Sequence, residues 1–301
     1  MGEPRDATSD GRENTYLLDP ESPVELARLI NLDRLATKAM GGPLAGLTEE
    51  EIAGLHNVLD LACGPGGWVL DVAFALPDVE VAGVDISRAM IDYANARARS
   101  QGLTNASFGV MDITRPLDFA DGAFDLVNAR LLVAVLRREA WAPFIAEATR
   151  ILRPGGILRL SEAVDAGTSN SPALQRLGAL GSQVLLRNGY GFSVDESSLD
   201  MTFVLPHLLR TAGYQDVHYQ ANALEFSYGT EAWADFYRNS EIVYLLAQPM
   251  FVKLGLISQE EGEQLHQQML QEMQASDFCG MSHGVTVWGK KPASPHTPSP
   301  E

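Results

Sequence analysis

The feature that most constrains the fold is a glycine-rich stretch at residues 56–68, HNVLDLACGPGGW. A short apolar run ends at Asp60, the sequence GPGG follows at residues 64–67, and a second apolar segment begins at Val69. Glycines allow a tight turn after a strand and let a ligand approach the backbone closely. The pattern therefore predicts a strand, a loop that binds a ligand, and a helix.

Spacing within the loop helps to separate two kinds of nucleotide cofactor. A dinucleotide-binding loop has the pattern G-x-G-x-x-G, in which the third glycine lets helix and strand pack closely. Gly64 and Gly66 fit this pattern, but Val69 occupies the third position. An NAD(P)-dependent oxidoreductase therefore remains an alternative, although Val69 in place of the third glycine argues against it.

Three motifs resemble those of class I S-adenosylmethionine-dependent methyltransferases. Residues 60–66, DLACGPG, resemble the family's acidic residue and glycine-rich turn, with Ala62 in place of the usual first glycine. VAGVDIS at residues 81–87 is similar to the second motif, and LRPGG at residues 152–156 to the turn before the fifth strand. Two weaker matches, at Asp112 and at residues 124–127, lie between the second and third motifs. Together the matches cover residues 56–162.

The resemblance implies S-adenosylmethionine as the cofactor. Asp85 would bind the ribose hydroxyls, because a carboxylate can fix two hydroxyl donors. Asp112 would accept from the adenine amine, with apolar neighbours covering the ring. A helix cap at Asp85 and a surface turn at Asp112 are the alternatives. The predicted cofactor-binding residues are Asp60, Ala62, Gly64, Gly66, Gly67, Asp85, Ile86, Met90, Met111, Asp112, Ile113, Asn128, Ala129 and Arg130.

The sequence assigns no catalytic base. A sulfonium-bound methyl group is already activated, so its transfer depends mainly on holding the acceptor in place. A base is needed only where the acceptor must lose a proton. The candidates by position are Glu162, Asp165, His207 and His283, and no pattern favours one of them. The six histidines show no metal-ligand spacing, so we expect no metal.

Charge and composition limit the partners. Lys and Arg number 22 and Asp and Glu 39, a net charge of −17 that disfavours nucleic acid. No apolar run approaches the roughly 18 to 20 residues that span a bilayer, and residues 1–12 are polar, so we expect a cytoplasmic protein. Cys63 and Cys279 form no C-x-x-C pair, which argues against zinc and a disulfide. A homodimer is left open.

The predicted fold is α/β, a doubly wound, Rossmann-like sheet of seven mostly parallel strands with the last one antiparallel, as the resemblance implies. We expect a disordered segment at residues 1–13, a helical cap at 14–50 and a methyltransferase domain at 51–291. Helical additions are expected at about 165–195 and 229–276, before a disordered tail at 292–301.

The acceptor is expected to be a small apolar or aromatic molecule. The resemblance extends to the ubiquinone and menaquinone biosynthesis branch and to methyltransferases of natural-product pathways. The helical addition at about 229–276, an insertion before the last strand, favours the latter. Aromatic residues in this insertion, Trp233, Phe236, Tyr237 and Tyr244, would face the acceptor or pack in the core. A second alternative is a protein that keeps the cofactor without transferring its methyl group.

Overall fold

The computed structural model describes residues 16–164, 167–193 and 198–293. The expected disorder at 1–13 lies outside these residues, as do Asp165 and most of the tail. The helices are α1 (Pro23–Ala39), α2 (Glu49–Ala53), α3 (Gly67–Ala75), α4 (Arg88–Gln101), α5 (Trp141–Ile151), α6 (Pro172–Arg187), α7 (Val204–Thr211), α8 (Trp233–Lys253) and α9 (Gln259–Glu272). The strands are β1 (Asn57–Leu61), β2 (Glu80–Asp85), β3 (Ala106–Val110), β4 (Phe124–Arg130), β5 (Leu152–Ala163), β6 (Thr168–Ser169), β7 (Gln215–Glu225) and β8 (Gly280–Lys290).

One mixed sheet forms the centre of the described chain. Strands β3, β2, β1, β4 and β5 are neighbours in that order and pair in parallel. β8 pairs antiparallel with β5 on one side and with β7 on the other. The predicted fold class is therefore confirmed. The two-residue β6, which the sequence did not indicate, adds a short extension beside the start of β8.

Helices cover both faces of the sheet. Val69 of α3 and Ile91 of α4 belong to the core on one face, and Trp141 of α5 and Leu205 of α7 to the core on the other. The chain changes face between β1 and β4, where the strand order reverses. In open α/β sheets, ligands bind in the crevice at the carboxyl ends of the strands beside such a reversal.

Helices α1, α6, α8 and α9 share a further core outside the sheet. Leu35, Leu177, Phe251 and Met269 are buried there. The apolar residues that recur at helical spacing along α9 and at its C-terminal cap all pack in or against this core: Leu265, Met269, Leu270 and Met273. Within the described residues, no helix combines the length and the hydrophobicity needed to cross a membrane.

Ser22, Pro23 and Glu25 predict a helix start with a capping box, in which the side chains of Ser22 and Glu25 would each accept a hydrogen bond from the other residue's backbone N–H. Helix α1 does begin after Ser22, but the capping box does not form. The Ser22 side chain makes no capping hydrogen bond. Glu25 instead accepts two hydrogen bonds from the buried guanidinium of Arg28, at 2.6 and 2.8 Å, and one from the Tyr16 hydroxyl. The ion pair takes the carboxylate that a capping box would have used.

Candidate functional site

The glycine-rich loop leaves β1 with several residues in the left-handed backbone region. The φ angles are 55° at Ala62, 51° at Gly64 and 77° at Gly66. Only glycine adopts this region freely, and the left-handed conformation costs another residue about 1–2 kcal/mol. Ala62 therefore stores backbone strain at the position where the resembled family usually has glycine.

Asp85 holds this loop from the end of β2. Its carboxylate accepts a hydrogen bond from the Gly64 N–H and another from the Ser87 N–H, both at 2.9 Å. Each oxygen thus keeps unused acceptor capacity. Asp85 also lines the large cavity described below. Desolvation raises the pKa of this carboxyl, although the backbone amides of Ser87, Gly64 and Ile86 counteract the effect.

The loop glycines differ in role. A Cβ at Gly64 would meet nothing within 4 Å, and this residue lines the cavity. A Cβ at Gly66 would overlap the Phe108 ring, and a Cβ at Gly67 would overlap the Asp33 carboxylate. Gly66 and Gly67 are not among the cavity-lining residues, so in this structure they serve close packing behind the loop.

Residues 111–113 follow β3 and line the same cavity. One oxygen of Asp112 accepts hydrogen bonds from the Thr114 N–H at 2.9 Å and from its hydroxyl at 2.6 Å. The other oxygen lies 3.3 Å from Nε of Arg115. Asp112 thus forms the turn that was the alternative to adenine binding, and it also lines the cavity.

The three residues at the end of β4 that were predicted to bind the cofactor lie in different environments. Asn128 and Ala129 are buried and do not line the cavity, whereas Arg130 does. Asn128 donates to Asp60 at 2.7 Å and accepts from Arg159, also at 2.7 Å. Burial raises the pKa of Asp60 to about 7, against the opposing effect of nearby Arg130.

An ion pair joins Arg130 to the N-terminal helix. Its guanidinium contacts the Asp33 carboxylate of α1 and donates to the Thr37 hydroxyl at 3.0 Å. The side chains of Arg130 and Asp33 are 9% and 14% exposed, so the pair is largely shielded from water. α1 is thereby attached to the carboxyl end of the sheet.

A single cavity of about 440 Å³ connects these elements. Its floor is the glycine loop and the ends of β2 to β4, and its other walls come from α1, α6, α8 and the segment before α1. Ten of the fourteen predicted cofactor residues line it: Asp60, Ala62, Gly64, Asp85, Ile86, Met90, Met111, Asp112, Ile113 and Arg130.

These residues fit S-adenosylmethionine, the cofactor that the resemblance implies. Asp85 has acceptor capacity for ribose hydroxyls, and apolar side chains lie beside Asp112 for an adenine ring. Asp60 and Arg130 offer opposite charges for an amino acid end. The open side of Gly64 leaves room for a ligand against the backbone.

The candidate bases lie elsewhere. Glu162 and His283 border a smaller adjoining cavity of about 100 Å³, and His207 is exposed on α7. The Glu162 carboxylate accepts a hydrogen bond from the Leu132 N–H at 2.6 Å. Burial raises the pKa of Glu162 to about 8. No histidine is among the described residues that line the large cavity.

The helical cap expected at residues 14–50 contributes to the cavity, through residues that the sequence did not single out. Tyr16, Leu17, Leu18 and Pro20 line the cavity, and Glu21 accepts hydrogen bonds from the Arg88 and Ala89 amides at the start of α4. Asp33 was also missed. An acidic residue on the apolar side of an amphipathic helix was the one available signal for it.

The chain matches known methyltransferases. A family model described as a methyltransferase domain matches residues 58–156. The chain is 32% identical to the ubiquinone/menaquinone biosynthesis C-methyltransferase UbiE of Desulfotalea psychrophila over 178 residues, covering 56% of this chain and 69% of UbiE. It is also 32% identical to the methyltransferase GfsG of Streptomyces halstedii over 127 residues, covering 41% and 43%.

The extent of these matches is limited. The chain spans about half the length of other curated relatives it matches, 52%, 43% and 46% for three of them. A solved structure of Haemonchus contortus phosphoethanolamine N-methyltransferase 2 with S-adenosyl-L-methionine is 18% identical, with a TM-score of 0.48. That comparison covers 92% of this chain and 60% of the other.

Proposed function

The chain belongs to the S-adenosylmethionine-dependent methyltransferases, and from this premise we propose that it transfers the cofactor's methyl group to a small apolar or aromatic molecule. The proposed acceptor is a natural-product or quinone type of metabolite, and the relative UbiE is named for ubiquinone and menaquinone biosynthesis. Cofactor and acceptor would meet in the large cavity.

One observation carries the proposal. The cavity that contains Asp60, Gly64 and Asp85 continues without a break into a wall formed by α6 and α8. That wall is mainly apolar, with Val243 and Phe251 among its residues. Ligand sites commonly combine such an apolar lining with a few placed polar groups.

The chain's residues would divide the cofactor between them. Asp85 would accept from the ribose hydroxyls, and the residues around Asp112 would hold the adenine. Asp60 would face the ammonium group and Arg130 the carboxylate of the amino acid end, since opposite charges attract most strongly in a site shielded from water. When bound, the cofactor supplies a methyl group activated by its sulfonium.

Catalysis would then rest on position and on exclusion of water. α1 and the segment before it cover the loop, and Arg130 fastens α1 through Asp33. Burial of the reactants in an apolar cavity favours one orientation and removes solvent that would otherwise compete for contacts. An acceptor that needs no strong base suits this lining.

The first experiment is calorimetric titration with S-adenosylhomocysteine and, separately, with NADH. We expect binding of S-adenosylhomocysteine and no heat with NADH. Phenols, amines and prenylated acceptors are then screened for uptake of a labelled methyl group from S-adenosylmethionine.

Each alternative has its own outcome. NADH binding without S-adenosylhomocysteine binding would make the oxidoreductase the working hypothesis. Tight cofactor binding with no methyl uptake by any acceptor would favour a protein that keeps the cofactor for another purpose. Methyl uptake lost in Asp85→Ala but retained in a surface variant such as Gln268→Ala would support the proposed site.

A further inference from the structure

The part of the large cavity formed by α6 and α8 is elongated. α8 contributes lining residues from Phe236 to Phe251, about four helical turns. At a rise of 1.5 Å per residue, this wall is about 22 Å long. The facing helix α6 contributes residues from Gly178 to Leu185. A compact ring alone would leave much of this wall without a contact.

Among the cavity-lining residues of α6 and α8, both of which the structure describes, there is no Asp, Glu, Lys, Arg or His. The polar groups there are neutral and include Ser182, Asn239 and Ser240. Arg28 of α1 approaches this wall and donates to Asn239 at 2.9 Å, but Glu25 already pairs with it. A charged group on the ligand would lose its hydration without gaining a counter-ion.

Gly181 has no packing reason to be glycine. It lies inside α6, where glycine costs roughly 1 kcal/mol relative to alanine. A Cβ built on Gly181 would meet nothing within 4 Å, and the residue lines the cavity. The space that its missing side chain leaves open therefore belongs to the cavity.

From these three observations we propose that the methyl acceptor is an uncharged molecule with an extended apolar chain. Its reacting end lies beside the cofactor, its chain runs along α8, and Gly181 keeps the path open. This inference rests on the proposed function, because it describes the acceptor part of the same cavity.

The test measures binding of chain probes to the protein saturated with S-adenosylhomocysteine, so that it does not depend on which atom accepts the methyl. The probes are hexanol, octanol and decanol, followed by the charged analogues decanoate and decylamine. Each buried methylene should raise affinity about two- to fourfold. We expect this rise to continue to decanol, and both charged analogues to bind at least tenfold more weakly.

A matched pair of variants locates the site. Gly181→Leu should weaken decanol binding at least tenfold and leave S-adenosylhomocysteine binding unchanged. Ala179→Leu adds the same side chain to an exposed position of α6 and should change neither affinity. Should Gly181→Leu fail to fold, the chain-length series on the unaltered protein still decides the matter.

Several results would overturn the inference while the proposed function stands. They are an affinity that stops rising at hexanol, equal binding of decanol and decanoate, or equal effects of the two leucine variants, each in a protein that binds S-adenosylhomocysteine. Failure to bind S-adenosylhomocysteine would instead count against the proposed function. The chain series is then measured on the protein alone, with the same criteria.

Discussion

The contact between Gly67 and Asp33 gives a quantitative prediction. A Cβ at Gly67 would overlap Oδ2 and Cγ of Asp33, so we expect Gly67→Ala to displace this carboxylate and to break its ion pair with Arg130, which is made through Oδ1. Separating a buried ion pair costs about 3–5 kcal/mol. Arg130 keeps its hydrogen bond to Thr37, so we expect a smaller cost, about 2–4 kcal/mol.

The helix itself partly offsets this cost. Alanine is favoured over glycine inside a helix by at most about 1 kcal/mol. Gly67→Ala should therefore lower the free energy of unfolding by about 1–4 kcal/mol, and Asp33→Ala by about 2–4 kcal/mol. Once Asp33 is alanine, the carboxylate that Gly67→Ala displaces is gone. The second substitution should then be neutral or slightly stabilising.

The coupling is measured by urea unfolding, followed by tryptophan fluorescence, of four proteins. These are the unaltered protein, Gly67→Ala, Asp33→Ala and the double variant. Gly181→Ala is the control, since it adds a Cβ inside a helix where nothing lies within 4 Å. It should stabilise the protein by up to about 1 kcal/mol. If the effects of Gly67→Ala and Asp33→Ala add to within about 0.5 kcal/mol, the packing argument is wrong.

Three further predictions concern the cofactor site and a buried carboxyl. Asp85→Ala should weaken S-adenosylhomocysteine binding by about 1.5–3 kcal/mol in calorimetry, and Asp85→Asn, which keeps one acceptor oxygen, by less; unchanged affinity in both would remove Asp85 from the site. The pKa of Glu162 is raised to about 8, so the folded state holds a proton that the unfolded state loses near pH 4.5. Stability should therefore fall as pH rises between these values, by up to about 1.4 kcal/mol per pH unit, and Glu162→Gln should flatten that slope in urea titrations at several pH values; an identical slope in both proteins would refute this. Glu21→Ala removes two hydrogen bonds at the start of α4 and should raise the dissociation rate of S-adenosylhomocysteine severalfold in stopped-flow displacement, whereas an unchanged rate would mean that this segment does not close over the cofactor.

The sequence by itself determined the central sheet and the glycine-rich loop after β1. Local patterns sufficed because each motif joins a strand to an adjacent turn. The glycines follow Asp60 of β1, the acidic residue Asp85 ends β2, and the LRPGG turn lies at the start of β5. The sequence also indicated the end of β4, but it did not separate Arg130, which lines the cavity, from Asn128, which lies in the core. In a strand that is buried on both faces, polar and apolar residues do not alternate, so the sequence does not show which face each side chain occupies.

Only the tertiary structure decided what surrounds the loop. Of the four aromatic residues in the insertion, Phe236 and Tyr244 line the cavity, whereas the Trp233 indole donates to the Met273 carbonyl at 2.8 Å. The Tyr237 hydroxyl accepts from Gln274, so this residue too has another partner. Helical spacing places side chains on one face but does not say which neighbour covers each turn.

The same limit explains why the sequence does not predict the contact between Gly67 and Asp33. Both residues are visible in the sequence, yet they are far apart along the chain and meet only because α1 packs across the start of α3. The motif predicts that Gly67 contacts the cofactor, whereas its neighbour in the structure is the Asp33 carboxylate. Contacts between distant segments depend on how helices pack, and no local pattern encodes them.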